Sequence, residues 1–147
     1  MILLDTCVIS EALRPQPDPA VMTWLETVDE EALCLNVLVI GELRKGIEML
    51  ETGAKQDRLR LWFEALQERF SGRILDLDSG TLVLWGDMCA KAKKAGHPLP
   101  VVDSLMAASA LRHNALLVTR NTQDYHTTGI ALFNPWEWND AKEGQES

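Results

Sequence analysis

With 147 residues and a mass of 16.4 kDa, the chain is most simply one domain, large enough for a real core. Its 14 basic against 22 acidic residues leave a formal net charge of −8 and a pI near 4.8, which argues against passive nucleic-acid binding through a basic surface. No apolar stretch is long enough to span a bilayer, and MILL, cut short by Asp5 with no basic region before it, does not read as a signal peptide.

The three cysteines, Cys7, Cys34 and Cys89, are widely spaced and lack CxxC pairing, so they read as reduced thiols of a cytoplasmic protein. Part of the acidic excess lies on surface segments such as DEE at 29–31 and the EGQES tail. A cluster of acids that holds a divalent cation would also lower the net charge, and the ion must then be counted with it.

In chain order, ILL at 2–4 reads as a strand buried on both faces, followed by a helical turn around Ile9–Leu13. Pro15, Pro17 and Pro19 interrupt regular structure, and Asp18 caps a helix that carries Val21, Trp24, Leu25 and Val28. ALCLN at 32–36 is a second strand. In VLVIGELRKGIEML, Ile40, Leu43, Ile47 and Leu50 share one helical face, and Gly41 and Gly46 would let that helix pack closely on a neighbour.

Lys55 to Phe70 is a further amphipathic helix, RILDL at 73–77 a third strand, and Asp78 to Ala95 a long helix ended by Gly96. HPLPVV at 97–102 is expected to be extended, Asp103 to His113 helical, ALLVT at 115–119 a strand, RNTQDY a loop and IALFNP at 130–135 a last strand. Short strands alternating with helices predict an α/β fold around a largely parallel sheet with right-handed crossovers.

Such sheets build sites at the carboxyl ends of their strands. Asp5 ends the first strand, Glu42 lies early in the helix after ALCLN, Asp103 opens a helix, and Asp124 follows ALLVT. Two unit charges ~4 Å apart repel by roughly 4 kcal/mol at an effective dielectric near 20. Converging acids must therefore hold a proton, pair with a base or bind a metal, and no lysine lies near these strand ends. Hard oxygen donors without a Cys/His cluster favour Mg²⁺ or Mn²⁺ over zinc, which suits phosphodiester hydrolysis. Each acid also has a plainer reading: Asp103 as a helix N-cap, Glu42 as a solvated helix residue, Asp124 as a turn former. Asp5 is the hardest to explain so, because a buried strand end has cheaper residues available.

LLDTCVISE (3–11), VIGELRKGIE (39–48), VVDSLMAASA (101–110) and LLVTRNTQDY (116–125) resemble the four signature segments of the PIN-domain ribonucleases, nearest to the VapC-like toxins of type II toxin–antitoxin pairs. FNPW (133–136) resembles the end of that domain, so the likeness covers about residues 1–138, leaving 139–147 as a polar, mobile tail. The resemblance implies a three-layer fold with about five short strands, Mg²⁺- or Mn²⁺-dependent endonucleolytic cleavage of RNA such as tRNA, a homodimer, and inhibition by a small VapB-like antitoxin in a hetero-oligomer without membrane attachment. It makes Asp5, Glu42 and Asp103 the metal ligands. A fourth acidic position of the family is Asn121 here, with Asp124 three residues on to supply the charge. Thr6 and Ser104 would donate hydrogen bonds to the acids, and Cys7 stands where many relatives carry Asn.

RNA phosphates need cations, and Arg120, Arg44 and Lys45 lie beside the motifs, with Lys91, Lys93, Lys94 and Arg112 further off; for most, a solvated surface charge is the plain reading. Trp24, Trp62 and Trp85 read as core or dimer interface, Trp136 and Trp138 as closing the bottom of the sheet. Two rival readings stand beside the nuclease. One is a receiver-like phosphoacceptor domain, disfavoured because no lysine occurs between Lys94 and Lys142; the other is a catalytically silent PIN domain that only binds a partner.

Overall fold

The computed structural model describes residues 1–139, so all but the first residue of the expected tail lies outside the described residues. Its strands are β1 (Ile2–Leu4), β2 (Leu33–Asn36), β3 (Ile74–Leu75), β4 (Leu116–Val118) and β5 (Leu132–Phe133). The helices are α1 (Thr6–Ala12), α2 (Pro19–Thr27), α3 (Val37–Glu48), α4 (Ala54–Arg69), α5 (Ser79–Lys94), α6 (Val101–Arg112) and the single turn α7 (Thr122–Tyr125).

The strands form one parallel five-stranded sheet in the order β3-β2-β1-β4-β5, as the alternation of strands and helices predicts. Ile-Leu-Leu occupies the centre because it can be buried on both faces: Leu3 and Leu4 are inaccessible, and Ile2 is paired with Leu33 on one side and Leu116 on the other. Right-handed connections that run first one way from β1 and then the other place the early and late helices on opposite faces. Accordingly α3 packs on α1 and α4, while α6 packs on α5 and α7.

The caps expected at Asp18 and Gly96 hold, and Asp78 adds a third. Asp18 caps α2 with Pro19 at its first position, and Asp78 caps α5 through the Thr81 amide at 2.8 Å. Gly96 ends α5 at φ +81°, with its own amide on the Lys93 carbonyl and the His97 amide on that of Ala92, which is a Schellman closure. Among the described residues no helix is long and apolar enough to cross a membrane, and all three cysteines are free.

Four local expectations are corrected. Helix α1 starts at Thr6, directly after Asp5, because the Asp5 carboxylate caps it. Val101 and Val102 are helical, since Pro100 occupies the N-cap with an extended backbone and α6 begins just beyond it. Residues 122–125 of the RNTQDY loop form one helical turn. Gly41 and Gly46 meet no close neighbour among the described residues of this chain: a Cβ at either would meet nothing within 4 Å.

Candidate active site

The chain leaves β1 for β2 and β3 on one side, then crosses to β4 and β5 on the other, so the switch in strand order falls between β1 and β4. A crevice at the carboxyl ends of the strands opens at such a point. Asp5 is the first residue beyond β1, Thr119 to Asn121 follow β4, and α6, running antiparallel to the strands, presents Asp103 at its third position. The helix after β2 contributes Glu42. Together with Thr6, Cys7, Ser10, Val102, Met106, Asn121 and Tyr125, these acids line a cleft of about 310 Å³.

Asp5 is 8% exposed, and hydrogen-bond donors meet it rather than a cation. The Thr6 amide donates to Oδ1 and the Thr119 hydroxyl to Oδ2, both at 2.8 Å. The parallel register explains the second bond, since pairing Leu4 with Val118 sets the next residues, Asp5 and Thr119, side by side. Burial still lifts the Asp5 carboxyl above its ordinary range, and the nearby Asp103 adds to the rise, while the two hydrogen bonds oppose it.

Glu42 is exposed as a residue but turns its carboxylate into the cleft, where Oε1 accepts from the Thr6 hydroxyl at 3.0 Å. Its pKa is raised by desolvation, with repulsion from Asp5 and Asp103 adding. Asp103 is raised by burial first and by Asp124 as well, against a 3.3 Å bond from the Tyr125 hydroxyl. None of Asp5, Glu42 and Asp103 forms an ion pair with a basic side chain among the described residues.

The remaining predicted residues divide. Thr6 bonds Glu42 as expected. Ser104 does not reach an acid: its hydroxyl donates to the Val101 carbonyl at 2.8 Å and accepts from the Trp85 indole at 2.9 Å, on the side of α6 turned to α5. Asp124 is exposed and outside the cleft wall, acting on Asp103 through its charge. Asn121 lines the cleft, with its backbone N–H donating to the Thr119 hydroxyl at 3.1 Å.

Arg120 is exposed and held over the Trp136 ring at 5.3 Å, which places Trp136 at the carboxyl end of the sheet rather than at its bottom. Arg44 is taken up by Glu48 at 3.2 Å and by the Phe63 ring, so it faces α4. Lys45 shares an open hollow with Glu42 and Val102. Thr119 and Tyr125 were not anticipated. The register of β1 on β4 could have revealed Thr119, but nothing local marks Tyr125 as a neighbour of Asp103.

Among the described residues, no three His, Cys, Asp or Glu side chains are grouped tightly enough to enclose an ion by themselves. The acids instead line an open cleft of hard oxygen donors with no internal cation. That donor set fits a small divalent ion which one or two carboxylates hold while water and ligand oxygens complete its shell.

The PIN-domain family model matches residues 2–129. Toxin FitB of Neisseria gonorrhoeae is 37% identical over 137 residues, covering 92% of this chain and 99% of the relative. VapC ribonuclease Y4jK of Sinorhizobium fredii is 34% identical over 139 residues, covering 93% and 99%. The crystal structure of FitAcB from Neisseria gonorrhoeae superimposes with a TM-score of 0.90 at 37% identity, covering 94% of this chain and 100% of that one. With its strand order, its acidic cleft at the β1–β4 crevice and its motifs all in place, this chain belongs to the PIN-domain family.

Proposed function

We propose that this protein is a toxin of the VapC type, a Mg²⁺- or Mn²⁺-dependent endoribonuclease that is restrained by a cognate antitoxin. The observation that carries the reading is the convergence of Asp5, Glu42 and Asp103 on one cleft that contains no basic side chain. Similarity to a named VapC ribonuclease over nearly the full length points to RNA as the substrate, and similarity to a named toxin makes a neutralising partner part of the reading.

Asp5, with Asp103 and Glu42, holds the cation. When bound, the ion supplies Lewis-acid charge at the scissile phosphodiester and makes water a better nucleophile. The chain's own groups do the rest. Thr6 and Thr119 fix Glu42 and Asp5 by hydrogen bonds, and Asn121 presents an amide to the cleft in place of the fourth acid. Asp124 adds negative charge behind Asp103. Arg120, stacked on Trp136, and Lys45, beside Glu42, would take RNA phosphates, whereas Arg44 is committed to Glu48. An acidic protein with so few cations at the site suits single-stranded or looped RNA better than a long duplex. We place the protein in the cytoplasm as a homodimer that joins its antitoxin in a hetero-oligomer.

The test is cleavage of a defined tRNA and mRNA pool by purified wild-type and Asp5→Asn protein, with new 5′ ends sequenced. Specific ends that need Mn²⁺ or Mg²⁺, vanish in EDTA and are missing with Asp5→Asn are expected. Cation binding without any Asp5-dependent cleavage would favour the silent PIN domain.

A further inference from the structure

Tyr125 closes α7, the single turn that follows Asn121, and only 2% of it is exposed. A buried phenol needs a hydrogen-bond partner. This one faces the acids of the cleft: its hydroxyl lies 3.3 Å from Asp103 Oδ1, with the Asp5 charge nearby. Ionised carboxylates only accept, so the phenol must donate. The 3.3 Å length exceeds the usual O–H···O distance of about 2.7–2.8 Å, so the bond is a long one.

Asp103 has somewhere else to go. Pro100 supplies no side-chain cap to α6, and the first-turn amides there have no side-chain acceptor. A carboxylate three residues into the helix is drawn toward those amides and toward solvent, and repulsion from Asp5 drives it the same way. The Tyr125 hydroxyl pulls it back into the cleft.

We propose that Tyr125 is a positioning residue that holds the Asp103 carboxylate opposite Asp5, so that the pair is set for a divalent cation before the ion arrives. This rests on the metal-dependent reading of the cleft. Hydrogen-bond partners that orient metal ligands typically contribute 10- to 100-fold to affinity, and a long bond belongs at about the lower figure.

The experiment is calorimetric titration of the full chain with Mn²⁺, wild type against Tyr125→Phe, with thermal melts in EDTA and the Mn²⁺ dependence of RNA cleavage recorded in parallel. Phenylalanine keeps the ring and its packing and removes only the donor. The expected result is a Kd for Mn²⁺ raised about tenfold, an unchanged melt in EDTA, and a cleavage rate that returns toward wild type at saturating Mn²⁺. Unchanged or tighter Mn²⁺ binding by Tyr125→Phe overturns the proposal while leaving the metal reading intact. A lowered EDTA melt with a defect that saturating Mn²⁺ does not repair overturns it in favour of a purely structural role. Failure of the wild type itself to bind Mn²⁺ overturns both.

Discussion

At the residue scale, the site is a set of acids kept ionisable by hydroxyls and amides rather than by bases. Thr119 is the clearest case, since its buried hydroxyl donates to Asp5 and accepts from the Asn121 backbone N–H. Thr119→Val keeps the shape and strands both partners. It is expected to cost about 1–3 kcal/mol in urea denaturation under EDTA, because a hydrogen bond to a buried charge is lost and an amide is left bare. Asp5, Glu42 and Asp103 all hold their protons to higher pH when folded than when unfolded. Across that interval the native state binds more protons, so their contribution is full below the unfolded carboxylate range and is lost as pH rises through the folded values. Metal-free wild type should therefore lose melting temperature relative to Asp103→Asn as pH rises above the ordinary carboxylate range of about 4, and Mn²⁺ should restore it. Carboxylates after apolar strands stand out in the sequence because burying them is costly. Hydroxyls do not: Ser104, next to Asp103, turns to Trp85, while distant Thr119 and Tyr125 serve the acids.

At the scale of elements, local chemistry was readable where a cap or a hydrophobic period declares itself. Asp18 with Pro19, Asp78 and Gly96 all act as their types demand. Gly96→Ala forces a Cβ into the left-handed region at φ +81° and should cost about 1 kcal/mol by thermal melt, with open space around it leaving no other penalty. The α6 start was misread because two β-branched valines after prolines look extended, whereas Pro100 merely sets the entry to a helix. The reading of Gly41 and Gly46 failed for a different reason. Glycine in a helix has two opposite uses, and sequence does not separate close packing from open surface. Since both face open space, Gly41→Ala or Gly46→Ala should stabilise the isolated chain by about 0.5–1 kcal/mol in urea. A loss instead would show that α3 is approached closely by another chain.

At the scale of the whole molecule, topology does what no single motif can. The order β3-β2-β1-β4-β5 opens a crevice between β1 and β4, and the segments carrying Asp5, Glu42, Asp103 and Asn121 all end there. That convergence was legible from motif order; the openness of the resulting cleft was not, because it depends on side-chain rotamers around the switch point. Net charge −8 then has a local meaning, since Asp5, Glu42 and Asp103 share one cleft with no basic side chain in its wall. The most direct measurement is a crystal of the chain soaked in Mn²⁺, with data collected at the manganese absorption edge. The account predicts an anomalous peak in the β1–β4 crevice, bonded to an Asp5 oxygen and to Asp103 or Glu42. A peak away from Asp5, or none at saturating Mn²⁺, would contradict it.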